Sequence, residues 1–167
     1  MTRRQVVPIL LASTVLRAQE RRARPVDEDW WYRLTNTFLG EEMALDNAND
    51  GVNDPTMAPT GDYSGQFWRF TLNDGVYRMT NMFLGFNRSL DTYSGETNSP
   101  FMGESGNYSG QRWHLSPLDD RYFRLTNDFL GTGRSLDTYS DGAHTPFMGQ
   151  TGNYSGQFWK LTKISKT

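Results

Sequence analysis

Residues 106–113 are Gly-Asn-Tyr-Ser-Gly-Gln-Arg-Trp, and nearly the same eight residues recur at 61–68 and 152–159. Each copy ends in a Gln-x-Trp motif and closes a longer unit that opens with an Arg-x-Thr-Asn segment. Matching residues lie 45 positions apart between copies one and two and 46 apart between copies two and three. The chain therefore contains three repeats of one unit, which occupy residues 31–75, 76–121 and 122–167.

One inserted residue separates the second repeat from the third. Trp113 follows Trp68 by 45 positions, whereas Phe123 follows Tyr77 by 46. The insertion must then lie between Trp113 and Phe123. Because insertions in repeat proteins fall in connections, the sequence predicts a loop there.

Each repeat has the pattern of strands and tight turns. Short runs rich in Tyr, Thr, Phe and Trp alternate with clusters of Gly, Asn, Ser and Pro. Such runs are typical of β-strands, and the clusters are typical of turns. This pattern gives about four strands per repeat and twelve in all, and no stretch of the repeats keeps the apolar period of an α-helix.

Three units of this size cannot each bury a core, so we expect them to share one around a threefold axis. Closing the strands into a barrel also removes exposed sheet edges. The predicted fold is therefore an all-β, β-trefoil fold of three four-strand repeats. Matching large apolar residues are the expected core: Phe38, Phe83 and Phe129; Leu39, Leu84 and Leu130; Leu45, Leu90 and Leu136; and Trp68, Trp113 and Trp159.

Three Gln-x-Trp motifs at this period, with Ser-Leu-Asp in two repeats, resemble the ricin B-type lectin family of β-trefoils. The resemblance covers residues 29–163. It implies carbohydrate binding, and the family often has Cys-Leu-Asp where this chain has Ser-Leu-Asp. The motif residues are interpreted as structural, with each Trp in the core and each Gln holding the preceding turn: Gln66, Trp68, Gln111, Trp113, Gln157 and Trp159.

The resemblance also implies which residues contact a sugar. In family members an early Asp accepts hydrogen bonds from two hydroxyls, and a later aromatic ring packs on the pyranose. The matching residues are Asp91 with Phe101 and Asp137 with Phe147, whereas Asp46 of repeat one is followed by Thr56. Equally, these Asp residues could cap turns and these Phe residues could pack into the trefoil.

Two further differences separate the repeats. The family's sugar-binding Asn usually precedes the motif Gln directly, but here that position is Gly65, Gly110 or Gly156. Asn107 and Asn153, four residues before the Gln, are candidate substitutes. Repeat one has Asp62 at that position and Ala48 where the others have Tyr, so the carbohydrate sites are predicted in repeats two and three.

Charge divides the chain into two parts. Residues 1–26 hold six arginines and one acid, for a net charge of about +5, while residues 27–167 carry about −7. An acidic trefoil disfavours nucleic-acid binding. The domains predicted are a basic arm over residues 1–28 and a trefoil over 29–167. There is no cysteine, so the trefoil has no disulfide to support it.

The arm has two interpretations. A basic start followed by the apolar run from Val6 to Leu16 suits a secretory signal or an organelle-targeting peptide, although Arg17 spoils the cleavage site. The alternative is an arm that docks on a protein partner or on another copy of the chain. The apolar run is too short for a transmembrane helix. The compartment therefore stays open, with secretion slightly favoured over an organelle or an intracellular assembly.

Catalysis has little support in the sequence. His114 and His144 are the only histidines and occupy different repeat positions. The chain has no thiol, no phosphate-binding loop and no metal-ligand spacing. No cofactor or metal is predicted. The sequence favours a non-enzymatic lectin that binds glycans, with a structural protein of a larger assembly as the alternative and protease inhibition open by fold analogy alone.

Overall fold

The computed structural model describes residues 24–47, 54–92 and 99–166. Within them twelve strands occur, four per repeat as predicted. They are β1 Trp30–Asn36, β2 Met43–Asn47, β3 Pro55–Pro59, β4 Trp68–Asn73, β5 Val76–Asn81, β6 Arg88–Thr92, β7 Pro100–Glu104, β8 Trp113–Pro117, β9 Tyr122–Asn127, β10 Arg134–Thr138, β11 Pro146–Gln150 and β12 Trp159–Lys166. Residues 1–23 of the predicted basic arm lie outside the described part of the chain.

Six strands close a barrel and six form three hairpins. The barrel order is β1-β12-β9-β8-β5-β4, with β1 pairing back to β4, and the hairpins are β2-β3, β6-β7 and β10-β11. Strands β3, β7 and β11 contact one another, so the hairpins gather around one axis. All pairs are antiparallel, and the predicted β-trefoil is confirmed.

The predicted insertion is also confirmed. Strands β4 and β5 are joined by Asp74 and Gly75 alone, whereas residues 118–121 connect β8 to β9. Gly75 has a φ of 82°, which a two-residue hairpin turn needs.

The core lies inside the barrel and beneath the hairpins. The three motif tryptophans are fully buried, as are Leu45, Leu90 and Leu136. Each Trp Nε1 donates to the backbone oxygen of the Leu in its own repeat, at 2.9, 2.8 and 2.8 Å for Trp68, Trp113 and Trp159. The barrel strand is thereby joined to the hairpin that precedes it.

The prediction for Phe38, Phe83 and Phe129 was wrong. These side chains are 40%, 39% and 42% exposed, while the following leucines pack against the core. Each Phe belongs to an Asn-x-Phe-Leu-Gly turn in which the Gly N–H returns to the Asn carbonyl, with the Gly at positive φ. In so tight a turn, neighbouring side chains diverge, so the Leu enters the core and the Phe faces outward.

Candidate functional site

Three equivalent clefts lie around the molecule, one at each repeat. Cleft one has a volume of about 410 Å³ and is lined by Asp46, Asn47, Asp62, Tyr63, Ser64, Gly65 and Phe83. Cleft two, of about 300 Å³, is lined by Asp91, Thr92, Phe101, Tyr108, Ser109, Gly110 and Phe129. Cleft three, of about 420 Å³, is lined by Phe38, Asp137, Thr138, Tyr139, Ser140, Phe147, Asn153, Tyr154, Ser155 and Gly156.

At the floor of each cleft lies one buried carboxylate, from Asp46, Asp91 or Asp137, which we call the floor aspartates. One oxygen, Oδ2, accepts a hydrogen bond from the Nε2 of the motif Gln, at 3.0, 2.9 and 2.9 Å. The other, Oδ1, accepts from the next backbone N–H at 2.7, 2.8 and 2.8 Å. The carboxylates are thus fixed in place by the fold.

The motif glutamines complete this network. Gln111 Nε2 also donates to the carbonyl of Glu104 at 2.7 Å, and its Oε1 accepts from the N–H of Gly106 at 3.0 Å. The same bonds recur at Gln66 and Gln157. Each Gln therefore holds the Gly-x-Tyr-Ser-Gly turn, and it also orients the floor aspartate.

The glycine before each motif Gln has no room for a side chain. A Cβ at Gly110 would overlap Asp91 Oδ1 and the backbone of Thr92, and Gly65 and Gly156 face their own aspartates in the same way. The Asn expected at this position from the family resemblance cannot fit here. Its replacement by glycine lets the carboxylate approach the backbone.

Phe101 lines cleft two, and Phe147 lines cleft three. They lie directly across their hairpins from Asp91 and Asp137. The Phe147 ring stacks on Tyr139, with ring centroids 3.8 Å apart and planes inclined by 10°. Cleft three therefore has an aromatic platform beside its carboxylate, whereas Asp46 in cleft one faces Thr56 across the hairpin.

Six cleft rings were not recognised as candidate site residues from the sequence. The turn tyrosines Tyr63, Tyr108 and Tyr154 are 60%, 57% and 57% exposed, and each lies over the Gly two residues before it. The rim phenylalanines Phe38, Phe83 and Phe129 enter clefts three, one and two respectively, so each comes from the next repeat around the axis. Their threefold recurrence was visible in the sequence, but their exposure was not.

An asparagine fixes each rim phenylalanine to its neighbour's cleft. Asn127 Nδ2 donates to Thr92 Oγ1 at 2.8 Å, and Asn36 Nδ2 donates to Thr138 Oγ1 at 3.1 Å. Asn81 makes the matching bond to Asn47. The bond acceptor follows a floor aspartate directly, so every cleft is built from two repeats.

The two candidate asparagines lie in different surroundings. Asn153 is exposed and lines cleft three, while Asn107 is exposed but lies outside the described lining of cleft two. Asp62 takes the corresponding place in cleft one.

The electrostatics of the clefts are set by carboxylates. Burial raises the pKa of Asp91, and the hydrogen bonds from Gln111 and Thr92 oppose that effect only in part. None of the residues named as cleft lining is a Lys or Arg. No group of three His, Asp or Glu side chains that could hold a metal ion occurs in residues 24–47, 54–92 and 99–166.

The histidines lie apart from each other. His114 Nε2 lies 2.5 Å from Asp128 Oδ1, and Arg112 Nε donates to Asp128 Oδ2 at 2.7 Å. These contacts lower the pKa of Asp128, with His114 contributing most. His144 packs edge-on against Phe38 at the rim of cleft three. In the described part of the chain, no helix is long and apolar enough to cross a membrane.

No protein-family model matches the sequence, and no curated protein sequence does so. Similarity to solved structures is extensive. The designed threefold-symmetric protein ThreeFoil matches with a TM-score of 0.69 and 22% identity, over 80% of this chain and 99% of that one. The ricin B-like lectin of Macrolepiota procera, solved with lactose, matches with a TM-score of 0.69 and 17% identity, over 84% of this chain and 100% of the lectin.

Part of a larger enzyme is similar as well. The exo-β-1,3-galactanase of Clostridium thermocellum matches with a TM-score of 0.70 and 19% identity, over 83% of this chain. This chain spans only 31% of that enzyme. At such identities the similarity concerns the fold. The chain has the β-trefoil fold of the ricin B-like lectins.

Proposed function

We propose that this chain binds carbohydrate without catalysing a reaction, with its principal sites in clefts two and three. The observation that carries the proposal is cleft three. There a fixed, buried carboxylate lies beside the stacked rings of Tyr139 and Phe147. Carboxylate oxygens accept hydrogen bonds from sugar hydroxyls, and the C–H groups of a pyranose pack against aromatic faces.

The floor carboxylate has acceptor capacity left for a ligand. A carboxylate offers about four lone-pair sites. Asp137 uses one on each oxygen, for Gln157 Nε2 and the N–H of Thr138. One further hydroxyl can therefore donate to each oxygen, which suits two neighbouring hydroxyls of one sugar.

Asn107 and Asn153 are proposed as additional polar contacts in their repeats. Asn153 lies in the lining of cleft three, which supports its assignment directly. Asn107 occupies the same turn beside cleft two, so we propose it by repeat equivalence with Asn153.

Binding through several shallow clefts would gain strength from multivalency. Three clefts face outward around the axis, and glycans displayed on one surface could occupy more than one of them. Single sugars are then expected to bind weakly and multivalent glycans more tightly.

A glycan array with ring-deletion variants tests the proposal. We expect wild-type protein to be retained and a Tyr108→Ser/Tyr154→Ser double variant to lose about 2- to 10-fold in affinity at each cleft, since an aromatic contact contributes about 0.5–1.5 kcal/mol. Both tyrosines are more than half exposed, so their loss should leave the melting temperature nearly unchanged.

Phe86→Ala is the matched control, because Phe86 is also 57% exposed but packs on Trp31 instead of lining a cleft. It should bind as the wild type does. Variants of the exposed rings test binding without disturbing the fold. Asp137→Ala, in contrast, would leave Gln157 and the Thr138 N–H without their hydrogen-bond acceptor. Wild-type protein that ignored every glycan would refute the proposal.

A further inference from the structure

Cleft one differs from its two counterparts in charge. The Gly-x-Tyr-Ser-Gly turn places Asp62 in cleft one where cleft three has Asn153. Asp62 is exposed and makes no ion pair or hydrogen bond with any residue in the described ranges. Cleft one therefore contains two carboxylates, from Asp46 and Asp62, beside the rings of Tyr63 and Phe83.

The surroundings of this turn are otherwise the same in repeats one and three. Arg33 donates to the carbonyl of Gly61 at 2.5 Å, and Arg124 donates to that of Gly152 at 2.6 Å. The floor aspartates accept the same two bonds in both repeats. An equivalent arginine thus lies behind each turn, so Asp62 makes this turn more negative by one charge than its counterpart with Asn153.

The sequence between β2 and β3 contains no Lys or Arg. Residues 48–53 lie outside the described part of the chain, and their sequence holds one acid, Asp50, and no Lys or Arg. The named lining of the cleft likewise holds no base. Two carboxylates and two aromatic rings form a surface that favours a cation over a neutral or anionic group, because both π-faces and carboxylates attract an ammonium.

We propose that cleft one selects pyranosides that carry a free, protonated amine, with Asp62 as the residue that determines this specificity. The inference rests on the proposed carbohydrate binding and names the ligand class of one cleft. Asp46 would accept hydroxyl donors as its equivalents do in the other clefts, and Asp62 would pair with the ammonium. Repeat one, which lacks the hairpin Phe, then recognises its ligand by charge where cleft three relies on an aromatic platform.

The test compares three sugars that differ only in the substituent at carbon 2. Amide NMR titrations at about pH 6 would use the methyl β-glycosides of glucosamine, N-acetylglucosamine and glucose. The shifts of Ser64 and Gly65 report on cleft one, and those of Ser155 and Gly156 report on cleft three. We expect cleft one to bind the glucosaminide up to about five-fold more tightly than the glucoside, the range of an exposed ion pair.

Two reciprocal substitutions provide the controls. Asp62→Asn should abolish the preference in cleft one, and Asn153→Asp should create it in cleft three. Both residues occur naturally at this repeat position, so the turn accommodates either. The preference should also weaken between about 20 mM and 500 mM salt, because solvent-exposed charges are screened.

The outcomes separate this inference from the proposed function. If neutral sugars shift the cleft amides but cleft one shows no preference for the amine, or keeps it in Asp62→Asn, the inference is overturned while carbohydrate binding stands. If methylammonium binds cleft one as tightly as the glucosaminide, the site does not require a sugar and the inference also fails. If no sugar shifts any cleft, the proposed function fails with it.

Discussion

Gly110 shows how one residue changes the chemistry of a site. The family resemblance places a sugar-binding Asn directly before the motif Gln, and this chain has Gly at that position in all three repeats. The structure supplies the reason, since any side chain there would overlap Asp91 and the backbone of Thr92. Glycine at position 110 supplies no polar side chain, but it allows the Asp91 carboxylate to lie close to the backbone.

That carboxylate leads to a prediction about pH. Burial raises the pKa of Asp91 above the ordinary value of 3.8. In the proposed site, ionised Asp91 would accept hydrogen bonds from sugar hydroxyls on both oxygens, so sugar binding in cleft two should be lost as the pH falls through this raised pKa. For a raised carboxyl pKa, the ionised form costs stability above that pKa and protonation relieves the cost, so Asp91 itself does not promote unfolding there.

Carboxyl NMR of Asp91 and glycan retention, both followed against pH, check this expectation. Both midpoints should lie above pH 3.8, the ordinary value for an aspartate. Retention should also decline before the melting temperature falls. An Asp91 that titrates at or below its ordinary pKa would contradict the account of its burial.

At the scale of the elements, the strands and turns have the same structural roles in all three repeats. Strand β8 begins with Trp113, whose ring fills the core and whose Nε1 bonds the Leu90 carbonyl in the preceding hairpin. The Asn-x-Phe-Leu-Gly turn that follows β9 then carries Phe129 back to cleft two. Each repeat therefore contributes two strands to the barrel, a hairpin around the axis and a ring to its neighbour's cleft.

Removing Trp113 should show how far the barrel and hairpins depend on one another. Trp113→Ala empties a fully buried site and breaks the bond to Leu90, so we expect a loss of about 3–5 kcal/mol in the free energy of unfolding. Denaturant unfolding measures it, with the exposed Phe86→Ala as a control expected to change little. A shift of only a degree or two in melting temperature would mean that the Trp residues do not share one core.

At the scale of the whole molecule, the three clefts form a closed ring. Phe83 completes cleft one, Phe129 completes cleft two, and Phe38 from the first repeat completes cleft three. The pairing of β1 with β12 brings the first and last repeats together. Cleft three thus depends on contacts between residues more than 100 positions apart, such as Asn36 with Thr138.

Residues just before β1 also belong to the packed domain. Val26 is 3% exposed and lies in the core, the N–H of Asp27 donates to the Tyr32 hydroxyl at 2.7 Å, and Arg69 donates to the carbonyl of Glu28 at 3.1 Å. No sequence pattern indicated this packing, because Val26 is an isolated apolar residue beside the basic segment.

Trimming experiments should therefore distinguish two N-terminal cuts. Deletion of residues 1–23 should leave the trefoil stable, whereas deletion of 1–26 should lower its melting temperature, because Val26 is lost from the core. We also propose that the arginines of the arm bind an acidic surface on a partner or on another copy of the chain.

Size-exclusion chromatography with light scattering tests the proposed association. Full-length protein should form a larger, salt-sensitive species, and the chain without residues 1–23 should be a monomer. Identical monomers, with a native N-terminus beyond residue 17, would show that the arm is a targeting peptide.

The sequence alone determined the triplication, the strand and turn pattern, the inserted loop, and the core positions of the motif tryptophans. These features could be predicted because a repeat period is visible in the sequence itself and because strand and turn preferences depend on neighbouring residues. The tertiary structure decided that Phe38, Phe83 and Phe129 face outward and that each cleft spans two repeats. It also decided that every floor aspartate is buried by its Gln and backbone partners. Such features depend on pairing between distant segments, which the local pattern of a sequence does not specify.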